Sequence, residues 1–202
     1  MKYITVGFLK TGLLFVALFI AIFIQSGMVC AETVRGTIKY MSEDDAGKAV
    51  VYIETATGTF ISSEKHPVMD QIDLTFVPYV LPVLIETTVD FHNSDDVLNN
   101  VFTPSWAGHK FNLGTYPKGV VRTFTFDRLG EVAILCSIHP EMEGYILVLQ
   151  NPYFAVPDKD GKYQIRDVPP GAYNIKMWYK RVVSNAKRIT VEKGKETVAD
   201  FR

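Results

Sequence analysis

The sequence predicts an all-β fold. Short runs alternate apolar and polar residues, turn-forming clusters separate them at short intervals, and no window sustains a helical period beyond about two turns. Many short strands at regular spacing point to a sandwich or a barrel.

Residues 1–31 stand apart from that pattern. Lys2 and Lys10 supply a positive head, an uncharged apolar run follows over 13–24, and Val29-Cys30-Ala31 places small residues where a signal peptidase cuts. The segment is therefore read as a signal peptide, and the protein as periplasmic or otherwise exported. Membrane contact is expected only through this segment, if it stays uncleaved. The mature chain from Glu32 then keeps 19 basic and 22 acidic side chains, because both basic residues of the segment are lysines and it has no acid. A mild negative balance gives no support for nucleic-acid binding.

The predicted strands follow in order. Runs 34–40 and 49–53 come first, split by the acidic turn 43–47. Runs 79–85 and 87–93 follow, then 120–126, 131–136 and 145–149. Alternation is clearest in Val89-Asp90-Phe91 and in Arg122-Thr123-Phe124-Thr125-Phe126. A second block, 151–202, opens with the turn Asp158-Lys159-Asp160-Gly161 and the strand 162–166. Pro169-Pro170-Gly171 then turns into a strand over 172–179, and 187–192 and 197–201 complete the chain. So small a block is marginal for a core of its own and should pack on the first.

Cysteine usage narrows the function. Export favours disulfides, yet only Cys136 remains once Cys30 leaves with the signal. Cys136, His139 and Met142 form a Cys-x-x-His-x-x-Met loop between two apolar strands. A thiolate, an imidazole and a weak axial thioether are the donors of a mononuclear copper site, and Pro140 stiffens the loop that would gather them. Competing readings are weaker. A zinc site needs a second ligand pair, haem attachment needs Cys-x-x-Cys-His, and a Cys/His nucleophile lacks an accompanying oxyanion or third-group motif. Plain core packing of Cys136 and Met142 is the bland alternative. No enzymatic activity is expected.

These residues resemble a known family. The run 76–149 is similar to the small cupredoxins, plastocyanin and amicyanin among them, and most of all to bacterial plastocyanin-like proteins associated with methylamine utilisation. The matching pieces are Phe76-Val77-Pro78, Thr88-Val89-Asp90-Phe91-His92-Asn93-Ser94-Asp95, Asn100-Val101-Phe102, Phe111-Asn112-Leu113-Gly114, Gly130-Glu131-Val132 and the 136–142 loop. The resemblance implies a Greek-key cupredoxin-like β-sandwich over 32–150, one copper ion at one end, and one-electron transfer to a redox partner protein. The block 151–202 resembles the tail of carboxypeptidase-regulatory (transthyretin-like) sandwiches, whose opening strand pair residues 34–53 could supply. The copper-type region would then be an insertion.

One position departs from the family. Its first histidine ligand stands in a His-Asn-Val tripeptide whose Asn pins the ligand loops, whereas this chain reads Asn99-Asn100-Val101. Asn99 thus falls where an imidazole belongs, and an amide oxygen is a hard, weak donor to copper. Three histidines remain as substitutes. His92 alternates with Phe91 and should face solvent, His66 sits in an exposed turn, and His109 lies in a glycine-containing loop that could adapt. Glu86 replaces a common turn glycine, which bears on loop shape rather than chemistry. The expected site is Cys136, His139 and Met142, with Asn99 as a weak or lost ligand. A metal-free β-sandwich adaptor of an exported complex is the alternative role. The exported protein is expected to begin at or near Glu32; an intact mass that still includes residues 1–31 reassigns the segment to a membrane anchor.

Overall fold

The computed structural model describes residues 32–39, 45, 47–104 and 110–202, among which there is no α-helix. The segment 1–31, read from the sequence as a signal peptide, and His109 lie outside the described residues. The strands begin with β1 (Glu32–Thr37) and β2 (Ala49–Ile53). A middle group holds β3 (Val68–Ile72), β4 (Thr75–Val77), β5 (Val80–Leu84), β6 (Thr87–His92), β7 (Asn99–Phe102), β8 (Asn112–Tyr116), β9 (Val121–Phe126), β10 (Gly130–Leu135) and β11 (Glu143–Leu149). The chain ends with β12 (Phe154–Ala155), β13 (Lys162–Val168), β14 (Gly171–Tyr179), β15 (Val182–Val183), β16 (Lys187–Val191) and β17 (Thr197–Val198).

The middle group forms one sandwich. Its two sheets run β4-β3-β6-β9 and β5-β11-β10-β7-β8. The connections β6–β7, β8–β9 and β9–β10 each change sheets, giving the Greek-key arrangement. Met69, Phe76, Val89, Phe91 and Phe126 from the first sheet meet Val101, Val132, Ile134, Ile146 and Val148 from the second. Alternation on β6 explains its contribution: Thr87, Val89 and Phe91 are buried, while Thr88, Asp90 and His92 are half-exposed. Phe111 stacks on Phe124 at 4.0 Å between ring centroids and closes the core beside β9. Gly144 on β11 is required by packing, because a Cβ there would lie 2.7 Å from the Cβ of Phe76.

β3, β4, β7, β8, β12 and β15 are additional to the strands predicted from the sequence. For β3 the reason is inverted polarity: Gln71 is fully buried, whereas Val68 and Ile72 on the other face are exposed. Gln71 Nε2 donates to the His92 carbonyl and to the Tyr116 hydroxyl, both at 2.8 Å, which satisfies the amide nitrogen inside the core. Burial pushes the Tyr116 phenol well above its ordinary range, and the Gln71 bond only partly opposes that shift. At the β5–β6 turn Glu86 adopts φ 65°, the left-handed conformation that favours glycine.

The second sandwich joins both ends of the chain. β1 pairs antiparallel with β13 and parallel with β17, and β2 pairs antiparallel with β14. Its sheets are β13-β1-β17 and β12-β2-β14-β15, with β16 on β14. Strands 32–53 therefore pair with the C-terminal strands and not with the 68–149 sandwich, which enters between them as an insertion. The two chain crossings are tied together. Ile53 N–H donates to the Tyr153 carbonyl at 2.9 Å, and Asn151 Nδ2 donates to the Ile53 carbonyl at 2.9 Å. Gln150 exchanges side-chain bonds with both backbone groups of Ala56.

The two sandwiches pack face to face. Val80, Ala133, Tyr145, Leu147 and Leu149 on the outer face of the β11 sheet meet Val50 and Trp178 from the second sandwich. Trp178 is 0% exposed, and its indole N–H donates to Glu131 Oε2 at 2.7 Å. This contact explains why β11 shows no alternation of burial: both its faces are covered. Residues 151–202 expressed alone lack β1 and β2 and the Trp178 socket, so circular dichroism and urea titration should show no cooperative unfolding transition. A cooperative transition from that fragment would contradict this packing dependence.

Candidate metal centre

The site grows out of the β10–β11 hairpin. Its last cross-strand pair is Leu135 with Glu143, so residues 136–142 are the connecting loop. β7 meets β10 at Phe102 and Leu135 and runs on past its end, which brings Asn99 and Asn100 alongside the loop. Cys136 is 4% exposed, Met142 1% and Asn99 0%, whereas His139 is partly exposed. Cys136 and Met142 both pack into the core of the first sandwich.

Distances place three of the side chains in one cluster. Cys136 Sγ lies 3.9 Å from His139 Nδ1, and that same nitrogen lies 2.8 Å from Asn99 Oδ1. The Met142 N–H donates to the His139 carbonyl at 3.0 Å, closing the turn around Pro140. Among the described residues no group of three or more His, Cys, Asp or Glu side chains converges. Two of the four candidate positions here, Met142 and Asn99, are of other residue types.

Asn100 joins the two segments. Its backbone N–H points at Cys136 Sγ at 3.4 Å. Its Oδ1 accepts from Ser137 N–H at 3.3 Å and from Ser137 Oγ at 2.9 Å. Its Nδ2 donates to Asn112 Oδ1 at 2.8 Å, reaching β8 as well. Asn99 is held from the opposite side, by Asp95 Oδ2 at 2.8 Å and Asn93 Oδ1 at 3.3 Å. Neither Asn93 nor Asp95 is given a role by the sequence pattern alone. The available signal was turn chemistry: Asp95 N–H donates to Asn93 Oδ1 at 3.0 Å, an Asx turn within Asn93-Ser94-Asp95.

The remaining histidines are placed differently. His92 lies on β6, half-exposed on the face opposite Phe91. His66 Nδ1 pairs with Asp90 Oδ1 at 2.6 Å on that sheet. Neither side chain has a contact with Cys136 or Met142 among the described residues.

The arrangement also bears on nucleophilic chemistry. The imidazole nitrogen nearest Cys136 is the one facing the Asn99 oxygen. An amide oxygen only accepts, so that nitrogen carries the hydrogen and has no lone pair with which to take a proton from the thiol. A Cys/His dyad is not assembled.

Comparisons with solved structures find partial similarities. A copper-containing nitrite reductase from Thermus scotoductus matches 48% of this chain at 27% identity with a TM-score of 0.42, and the match spans 25% of the reductase chain. A purple cupredoxin from Nitrosopumilus maritimus matches 41% of this chain and 98% of its own, at 22% identity and TM-score 0.37. A reduced amicyanin mutant matches 50% of this chain and 98% of its own, at 21% identity and TM-score 0.40. No family model matches the chain, and no curated protein does. The Greek-key sandwich of residues 68–149 is defined by its own strand order and core.

Asn100→Ala removes three side-chain hydrogen bonds that tie β7, β8 and the 136–142 loop. It is expected to lower stability by about 1–3 kcal/mol, measured by urea denaturation. A change below about 0.5 kcal/mol, the scale of an ordinary surface substitution, would show that the loop is held by packing alone.

Proposed function

We propose that the chain is an exported cupredoxin-like copper-binding protein, descended from a one-electron carrier, which holds one copper(I) ion through Cys136, His139 and Met142. Asn99 takes the place of the first histidine. The observation that carries this reading is the meeting of Cys136 Sγ with His139 Nδ1 at 3.9 Å on a loop whose other end buries Met142 in the same core. The donor types fit a soft monovalent ion: thiolate and thioether sulfur favour copper(I), and imidazole suits either oxidation state. Asn99 fits copper(II) poorly, since its only free donor is an amide oxygen. For His139 to serve through Nδ1, it must give up its hydrogen and its bond to Asn99.

Bound copper supplies a one-electron couple to such a site. The chain's own residues do the rest. Core packing shields Cys136 and Met142 from water, Asn100 fixes the loop, and the partly exposed His139 forms the outer edge. Electron transfer would need a redox partner protein in the same exported compartment, and the leader-like pattern of residues 1–31 supports that location. A metal-free adaptor is the competing reading. It is favoured by the 2.8 Å bond between His139 and Asn99, which satisfies both groups without a metal.

Protein purified from its native compartment should retain one equivalent of copper(I), lost in Cys136→Ser, and should show no intense blue band after oxidation. The blue colour depends on a thiolate bond in a plane completed by two imidazoles. Asn99→His should restore that band, and Asp95 Oδ2 already stands where a ring N–H at position 99 could donate. An intensely blue natural protein would overturn the assignment of Asn99. Absence of copper after native purification would favour the adaptor.

A further inference from the structure

The surroundings of Asn99 dictate which way its amide points. Asp95 Oδ2 takes one hydrogen of Asn99 Nδ2 at 2.8 Å and also the backbone N–H of Leu74 at 3.2 Å. An oxygen receiving two donors acts as an acceptor. Asn93 Oδ1 takes the other Nδ2 hydrogen at 3.3 Å. Its own orientation is fixed, because Asn93 Nδ2 donates to the carbonyls of Val97 and Tyr116, each at 2.9 Å. With acceptors on both sides of its nitrogen, Asn99 can turn only its oxygen toward the loop. That oxygen has no hydrogen to give, so His139 Nδ1 must be the donor across the 2.8 Å contact. The direction of the chain of bonds is set at Asp95, which makes the shorter contact, with Asn93 beside it, and not at the imidazole.

We propose that Asp95 is a positioning residue which, acting through Asn99, holds His139 in its Nδ1–H tautomer and keeps the cluster closed in the metal-free protein. The nitrogen so blocked is the one facing Cys136 Sγ. Asn99 is then a clamp on the neighbouring histidine as well as a missing ligand. The tautomer follows from the metal-free chain alone, while its consequence for copper rests on the reading of His139 as a donor. Opening the clamp removes a hydrogen bond that only the metal-free state enjoys. Asp95→Ala should therefore bind copper(I) about three- to tenfold more tightly, the equivalent of one net hydrogen bond. Loss of a purely architectural residue would weaken binding instead.

Long-range proton–nitrogen NMR on full-length metal-free protein, at a pH well above the ordinary imidazole range, reads the tautomer directly. Wild type should carry the His139 hydrogen on Nδ1. Asp95→Ala should shift it toward the mixture of a free imidazole, and Asp95→Asn, which keeps an acceptor oxygen, should preserve the wild-type signature. Should Asp95→Ala fail to fold, Asn99→Leu removes the accepting oxygen at similar volume and is expected to release the tautomer in the same way. A wild-type hydrogen on Nε2, or a signature unchanged in the folded variants, overturns the proposal. So does weaker copper(I) binding by Asp95→Ala in competition with a chromophoric copper(I) chelator. If wild type binds no copper(I), the copper reading fails, and the tautomer result alone decides whether Asp95 is the clamp.

Discussion

Everything in the molecule is arranged about one sheet that is covered on both faces. The β5-β11-β10-β7-β8 sheet turns Val132, Ile134, Ile146 and Val148 into the first sandwich, and Ala133, Tyr145, Leu147 and Leu149 toward the second. Full burial of a single large apolar side chain contributes about 1.5–3 kcal/mol. The six-pair ladder between β10 and β11 is thus fixed in register from both sides at once. A slip of one residue would exchange the two sets of side chains. The hairpin at its end inherits that rigidity, which lets Cys136 and Met142 be held in place by strands rather than by their own loop.

At that end the chain has gathered amides. Asn93, Asp95, Asn99 and His139 form one hydrogen-bonded set and Asn100, Asn112 and Ser137 a second beside it, and the buried amide nitrogens all find partners. Partners on all sides rigidify a polar network, and one unsatisfied member would make it a liability. An imidazole at position 99 would offer a metal a good nitrogen. The amide offers the neighbouring histidine a hydrogen-bond acceptor instead. One substitution thus replaces a donor to metal by a restraint on another donor, and the Asp95 and Asn93 contacts define the direction of that restraint.

The alternating strands were legible in the sequence because one face of each is apolar, as in β6 and the Phe124–Phe126 end of β9. β3 was not, because one of its two buried positions holds Gln71 and its exposed positions hold Val68 and Ile72. A periodicity argument reads that pattern backwards, and only the contacts of Gln71 with His92 and Tyr116 make the burial tolerable. β8 is largely exposed and offers little pattern to read. The 136–142 loop was legible from donor types, and Asn99 from its place in the tripeptide. The roles of Asn93 and Asp95 were not, since a turn-forming Asn-Ser-Asp looks the same whether or not its side chains reach a neighbouring loop. Periodicity says nothing about long-range partners: β1 and β2 precede the first sandwich in sequence yet pair with strands more than a hundred residues later, and only the resemblance of the C-terminal block to a sandwich that needs an opening strand pair suggested it.

That last feature governs the order in which the chain can mature during synthesis. β1 and β2 emerge first but have no partners until β13 to β17 follow; Glu32 Oε1, for instance, receives the Gly194 N–H from 162 residues away. The strands of 68–149 are contiguous and can condense while the C-terminal segment is still being made, as chains tend to do from the N-terminal side. Until then the Tyr145, Leu147 and Leu149 face stands open to water beside two strands with unpaired edges. The nascent protein therefore passes through an interval in which its largest sticky surface waits for its last fifty residues, and helpers that bind extended apolar chains would find their target there.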